Sequence, residues 1–468
     1  MGLHTPPTVA LLFTVAFIVF LFRRDTREKP NVTGALWLPL LWMLLIGSRT
    51  PTQWLSLGGY MQGSSMEEGN PLDAFVFFTL IAAGFYVLNR RQVSLSEIFR
   101  NNGWLMAFLL YCFVSILWSD SPFVAFKRWI KILGHPIMVL ILFTEPDPQE
   151  ALVRLMKRSA YVLLPMSILF IKYYPELGRG FDDWTGAPMN NGINTNKNEL
   201  GWMCMILGFF FFWHLLQTLK TEKSKARRNE LLLTAGLIYV IWWLLSKAGS
   251  ATSLLSLLIG ALTVMLIGLR SLNKRFIGVY TVLVVTMLVV ADSTLGIFQR
   301  VVDFTGHGET LAGRGDLWRE LLAFRTNPIF GAGFESFWLG ERLQTLWGKH
   351  WWQPTEAHNG YLETYLNLGL VGLAMLIGLI IATFRKIRLE LLTNLQFGRF
   401  RLGFLAAVVV FNWTEASFKG LSPIWFVFYI IAMDYPKPQF APAEESSQII
   451  SSNEEMELAY FPHGIQSR

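Results

Sequence analysis

Apolar stretches of about 15–20 residues recur along this chain, split by short loops rich in Lys and Arg. A helix needs about 20 apolar residues to cross a bilayer. The pattern therefore reads as an all-α, polytopic integral membrane protein rather than as a globular core. Composition agrees. Apolar residues make up 53% of the 468 and charged residues 16%, against roughly 25% charged in a typical soluble domain. A soluble fold of this length would have to bury nearly all of 37 Phe and 18 Trp. That excludes a soluble enzyme, a nucleic-acid-binding domain and a disulfide-rich secreted fold. The net charge of +7 belongs to topology, not to nucleic acid. Cys112 and Cys204 both fall in apolar stretches, so neither a disulfide nor a metal cluster is expected. Residues 8–22 lack a basic leader and a small-residue cleavage site, and read as a first membrane helix.

Thirteen stretches read as helices, near 8–22, 34–48, 73–88, 103–118, 124–143, 159–175, 197–217, 231–246, 252–269, 276–293, 359–384, 402–416 and 421–435. One alternating set of loops (23–33, 89–102, 144–158, 218–230, 269–275, 385–401 and the tail) holds 25 Lys/Arg. The short loops of the other set hold only Arg49, Arg179, Lys247 and Lys419. The positive-inside rule makes the first set cytoplasmic, which puts the amino terminus outside and the carboxyl terminus inside. The expected division is 1–102, amino-terminal membrane helices; 103–293, a membrane core; 294–358, a large periplasmic loop; 359–435, carboxyl-terminal membrane helices; and 436–468, a disordered cytoplasmic tail rich in Pro, Ser and Glu. The 65-residue outer loop is too long to be structureless without a purpose. Within it, Asp316 reads as the cap of a short amphipathic helix through about Phe324, ended by Asn327-Pro328.

Charges at or in membrane helices are costly and mark candidate sites. Four clusters qualify, all near the outer face. Lys127, Arg128 and Lys131 sit at the outer end of the fifth helix. They are either snorkelling cations or a platform for an anionic lipid head group. Asn194 to Glu199, including Lys197 and Asn198, opens the seventh helix as a cap or as a polar floor for a sugar phosphate. Lys247 lies in a tight turn on the face that otherwise avoids cations. The fourth cluster joins Gly313-Arg314-Gly315-Asp316, with Arg319 beyond, to Glu356-Ala357-His358-Asn359 at the start of the next apolar helix. His358 stands out among seven histidines as the one at a loop-to-helix boundary among polar groups. Metal-binding, P-loop and dinucleotide fingerprints are absent from the sequence.

These residues also carry a resemblance. His358-Asn359, nine residues, Gly369, two residues, Gly372 is similar to the H-[NSQ]-x9-G-x-x-[GTY] signature of the O-antigen ligases and related Wzy-type polymerases. Gly313-Arg314-x-Asp316-Leu317-Trp318 and Asn327-Pro328-Ile329-Phe330-Gly331-Ala332-Gly333 resemble the earlier elements of that family's outer loop. Asn196-Lys197-Asn198-x-Leu200-Gly201 resembles an element of ExoQ-type exopolysaccharide polymerases. The motifs stand in family order over roughly residues 110–415. The family commonly has about 12 helices with both ends inside, so a count of 13 departs from it.

The resemblance implies a metal-independent, cofactor-free glycosyltransferase of the bacterial inner membrane, with its active site facing the periplasm. It would move a glycan from a polyprenyl-pyrophosphate carrier to an acceptor hydroxyl on a saccharide or a lipid-linked saccharide. Membrane lipid and polysaccharide chain-length and export proteins are the implied partners. In this reading Arg314 binds the donor pyrophosphate, His358 activates the acceptor, and Glu356 orients His358 or acts as the base. Lys197, Asn198, Lys247, Asn359, Arg319, Arg128 and Lys131 are the substrate-binding candidates. The alternative is a transporter or flippase of lipid-linked sugar or polysaccharide. It predicts paired hydropathy repeats and broken helices near the midplane, neither of which the sequence displays.

Overall fold

Each of the thirteen apolar stretches carries helix in the computed structural model, which describes residues 6–58, 69–181, 186–295 and 308–435. The tail at 436–468 and part of the long loop lie outside the described residues. The helices are α1 Pro7–Arg27, α2 Trp37–Ile46, α3 Pro51–Leu55, α4 Pro71–Arg90, α5 Leu95–Asn101, α6 Gly103–Val114, α7 Pro122–Ile132, α8 Gly134–Phe143, α9 Pro148–Tyr173 and α10 Pro175–Gly178. They continue as α11 Lys197–Thr218, α12 Lys225–Ala248, α13 Ala251–Ile267, α14 Ile277–Leu295, α15 Gly308–Ala323, α16 Gly340–Lys349, α17 Gly360–Thr393, α18 Leu395–Thr414 and α19 Pro423–Ala432. Among the described residues the strands are a single short hairpin, Arg179–Phe181 with Pro188–Asn190. Six helices (α1, α4, α11, α12, α17 and α18) are individually long and apolar enough to cross a membrane. The chain is an all-α, multi-pass membrane protein. Cys112 and Cys204 are buried free thiols.

Two helices differ from the sequence reading because charge is buried inside the bundle. Residues 148–158, read as loop, form the first turns of α9, and Arg154, Lys157 and Arg158 are buried there. Asp25 of α1 compensates them: its carboxylate lies 2.8 Å from both Arg154 and Arg158. Glu28 and Glu150 flank Arg154, and Glu230 of α12 accepts from Lys157 at 2.9 Å. Likewise α18 begins at Leu395, seven residues before the apolar run. Its Arg401 is buried against Glu390 and Asp434. Paired charges cost far less to bury than single ones, so a basic run does not by itself mark a loop.

Two bends also escape the sequence reading. The α5–α6 pair turns by 100° at Asn102, whose side-chain amide donates to Ile98 O and Asp434 O. The second bend lies in α17, where Gly369 (φ 64°, ψ −165°) interrupts the helix. It separates an outer segment with buried Glu363, Thr364 and Asn367 from the long apolar span.

From Gly308 on, the described part of the loop between α14 and α17 is folded. Leu317 and Leu321 of α15 pack with Phe337, Trp338, and Leu343 and Leu346 of α16, forming a small core separate from the bundle's. The α15 helix starts at Gly308, eight residues ahead of the expected cap. Asp316 is therefore inside it, paired with Arg319 on the exposed face. Each glycine within that helix costs about 1 kcal/mol, and the burial of Leu317 and Leu321 offsets this. The helix ends at Ala323, ahead of Asn327-Pro328, and Asn327 closes a later turn: its Oδ1 accepts from the backbone N–H of Ile329 and Phe330.

Candidate active site

The loop reaches the bundle through a backbone splice. Ala332 N donates to Leu366 O, and Gly333 N to Asn367 O. Leu370 N and Val371 N donate to Pro328 O and Ile329 O. The four bonds straddle Gly369 and occupy groups that the helix break frees. A Cβ on Gly369 would lie 2.2 Å from Ile329 O, and one on Gly331 would lie 2.5 Å from Asn367 O. Both positions also have positive φ, so only glycine fits. The glycines of two motifs about 40 residues apart thus form one joint.

Glu363, one turn into α17, fixes the other end of the loop. Its buried carboxylate accepts from Trp338 Nε1 at 2.6 Å, from Ala357 N at 2.9 Å and from Asn367 Nδ2 at 3.1 Å. Ala357 precedes His358, whose φ of 47° is unusual for a non-glycine residue. Asn359 caps α17, its Oδ1 accepting from Tyr361 N and Leu362 N at 3.0 Å, while its Nδ2 donates to Trp413 O. Gly360 N donates to Glu415 O. A Cβ on Gly360 would meet Asn412 Oδ1 at 2.1 Å, so the start of α17 and the end of α18 are locked together.

These contacts assemble a five-residue charge cluster. His358 Nδ1 lies 3.1 Å from Glu356 Oε1 and 3.3 Å from Glu415 Oε2. Arg314 of α15 donates through Nη1 to Thr414 O at 2.5 Å and through Nη2 to Glu415 Oε1 at 3.3 Å. Lys419 Nζ bonds Glu356 Oε2. All five side chains are partly exposed, between 10% and 33%. Burial disfavours the imidazolium, but Glu356 and the bond to Glu415 outweigh it, so the His358 pKa is raised. Burial would raise that of Glu356, yet Lys419 and His358 hold it well below the usual carboxylate range. Burial likewise opposes the Lys419 charge, and Glu356 reverses this, so the ammonium is retained.

Of the residues picked from the sequence, His358, Arg314 and Glu356 meet here. Asn198 joins them, with Nδ2 3.4 Å from Glu415 Oε1. Lys197 is the preceding residue, the first of α11, which Asn196 caps and where Glu199 accepts from Thr195. Lys247 stands over the Trp243 ring at 5.9 Å, and its backbone accepts from Asn190 of the hairpin. Arg319 is exposed and paired with Asp316. Arg128 donates to Glu335 O, and Lys131 lies within electrostatic reach of Glu335 and Asp73. Glu335 also acts on Lys419, which places α7 at the cluster's margin.

The sequence reading missed Glu415 as the hub and Lys419 as the counter-ion of Glu356. Both lie more than 50 residues from His358. One signal was available: Glu415 is an acidic residue ending an apolar helix, and the cost of intramembrane charge applies to anions as to cations. His135 is a different histidine. It is buried, accepts from Trp42 Nε1 through Nδ1 at 3.1 Å, and so presents Nε2–H to Gly420 O at 3.0 Å. It supports the turn that carries Lys419. Glu356, His358 and Glu415 each bring one donor atom within 4.8 Å of the others, a spacing that could hold a divalent ion. Arg314 and Lys419 already compensate the two carboxylates, which weakens that use.

Residues 227–377 match a family model described as O-antigen ligase. The chain resembles the O-antigen ligases. The matched segment includes Arg314, Glu356, His358 and both glycines of the joint, while Lys197, Glu415 and Lys419 lie outside it. The exopolysaccharide production protein ExoQ of Rhizobium meliloti (strain 1021) is 24% identical over 289 residues, covering 60% of this chain and 64% of ExoQ. The chain thus matches somewhat under two thirds of that relative's length.

Proposed function

We propose that this protein is a glycosyltransferase of bacterial surface polysaccharide assembly. It transfers a glycan from a polyprenyl-pyrophosphate donor to an acceptor sugar hydroxyl at the periplasmic face of the inner membrane. The observation that carries the reading is the meeting of His358, Glu356, Glu415, Arg314 and Lys419 at one loop-to-helix junction.

The chemistry follows from the contacts. With Nδ1–H facing the two carboxylates, Nε2 of neutral His358 is the basic nitrogen. It takes the proton of the acceptor hydroxyl. The acceptor oxygen forms the new bond to the anomeric carbon. The bond from that carbon to the phosphate oxygen breaks, and the pyrophosphate leaves with the electron pair. Glu356 and Glu415 stabilise the imidazolium, as an orienting carboxylate does in a catalytic triad. Arg314 uses two of its five N–H groups on protein acceptors and can turn the others to the leaving group. Preorganised cations aimed at developing charge supply a large share of such catalysis. The reading needs no metal and no cofactor.

The Lys197-Asn198 element and the ExoQ relative favour a polymerase over a ligase. A transporter reading gains nothing from the Gly369 break, because loop backbone fills it. The test is glycan transfer in membranes carrying His358→Ala or Arg314→Lys, with protein levels matched. Loss of transfer in both is expected, and full activity in both overturns the assignment. Deleting the gene should abolish long polymer; polymer accumulating on its lipid carrier would instead indicate a ligase.

A further inference from the structure

A second feature of the folded loop has no role in that chemistry. Beside the Gly369 joint, with Gly331 and Ala332 in its lining, lies a cleft of about 380 Å³ between the end of α6 and the turn after α15. Its wall is aromatic. Trp118 and Phe330 stand 5.6 Å apart at 58°, and Trp118 Nε1 donates to Phe330 O, which fixes the two rings relative to each other. Its rim is polar. Arg342 pairs with Asp120 at 2.5 Å and so links loop to bundle. Arg325 has no hydrogen-bond or ion-pair partner among the described residues. The Asn327 amide group likewise has no acceptor among them, since only its oxygen is used.

A flat apolar wall facing planar polar groups suits one class of ligand. A pyranose ring presents a C–H face that packs on aromatic surface and an edge of hydroxyls that arginine, aspartate and asparagine bind in pairs. A lipid tail would leave the rim unsatisfied, and a bare anion would not use the rings. The volume falls within the usual range for small-ligand sites. The position is also suitable. The splice joins Ala332 to Leu366, seven residues along the outer segment of α17 from Asn359. Along the helix axis that offset is about 10 Å at the rise of 1.5 Å per residue, which places the cleft and His358 on neighbouring turns of one segment.

We propose that this cleft is a glycan subsite, holding sugar residues of the saccharide whose reacting end is at His358. This rests on the glycosyltransferase reading. Phe330 and Trp118 supply the stacking surface, and Arg325 and Asn327 take the hydroxyl edge. One cation is left over beyond the Asp120–Arg342 pair, which favours a saccharide carrying a carboxylate.

The experiment uses the full chain in lipid nanodiscs, titrated with the lipid-free repeat-unit oligosaccharide cut from the host cell's own surface polysaccharide. Tryptophan fluorescence and calorimetry report binding, and membrane transfer is assayed in parallel. Wild type and His358→Ala should bind alike. Phe330→Ala and Arg325→Gln should each weaken binding by about tenfold and raise the acceptor KM with kcat little changed. Inorganic pyrophosphate should not compete. Equal binding by wild type, Phe330→Ala and Arg325→Gln overturns the subsite, as does competition by pyrophosphate. Undetectable binding with normal wild-type transfer also overturns the subsite and leaves the enzyme reading intact. Absence of transfer by wild type itself would instead remove the reading on which the subsite rests.

Discussion

Two charge clusters of similar composition lie on opposite sides of the bundle. On the basic side, Asp25, Glu28, Glu150 and Glu230 meet Arg24, Arg154, Lys157 and Arg158, with His214 on Glu230. On the loop side, Glu356 and Glu415 meet Arg314, Lys419 and His358. The first is welded at its centre, although Arg24, Glu28 and Glu150 at its edge are as exposed as the charges of the second. Asp25 is 1% exposed, and its two oxygens are used by two arginines belonging to a single helix. The second is partly open and drawn from three separate pieces of chain. It has a surplus of positive charge once His358 is protonated, and an arginine with N–H groups to spare. The same residue types give a staple where every partner is inside the protein. They give a candidate site where one partner must come from outside.

Substitutions can break this contrast. The largest effect on transfer is expected from His358→Ala, about 100–10,000-fold in rate with unchanged protein level, measured as polymer formed in membranes. Arg314→Lys should follow at about 100–1,000-fold, because the ammonium cannot reproduce the paired geometry. Asp25→Asn should do the opposite. Leaving Arg158 without its carboxylate, with Arg154 held only by Glu28 and Glu150, should cost up to about 3–5 kcal/mol of stability, read as a lower Tm in detergent, while transfer per folded molecule is retained. An equal loss of specific activity in Asp25→Asn would erase the distinction between the clusters.

The smallest effect is the most specific. His358 must be neutral to accept a proton, and its pKa is raised by Glu356 and Glu415 against burial. Transfer should therefore rise with pH through a midpoint above about 6.5, the ordinary histidine value. Glu415→Gln removes a carboxylate that favours the charged form, so the midpoint should move to lower pH. A pH–rate profile on matched membranes checks this, and an upward shift would contradict the assignment.

How much of this was legible depended on the range of the interactions. Apolar stretches are local, and all thirteen carry helix. His358 was readable as the histidine at a loop-to-helix boundary among polar groups, and Arg314 from its place beside a helix start in a glycine-flanked motif. The burial of Arg154 and Arg401 was not, since their compensating carboxylates come from distant parts of the chain, at Asp25 of α1 and at Asp434 beyond α19. Glu415 was hidden for the same reason: its role depends on a fold that brings residue 415 to residue 358. Gly369 was visible as a motif position, but the sequence does not reveal that its partner is the backbone of residues 328–333.

The joint at Gly369 also bears on the bilayer. The apolar span of α17 below it must adjust to hydrocarbon thickness, which helices do by tilting. The outer segment, Gly360–Leu368, is tied instead to the loop, to Glu363 and to the end of α18. Leu370 and Val371, the first residues of the span, are spliced to the same loop through Pro328 and Ile329, so tilt is taken up below Val371 and not at the break. The proposed site is thereby referenced to the folded loop rather than to the lipid, so membranes of different thickness should present the same cluster geometry.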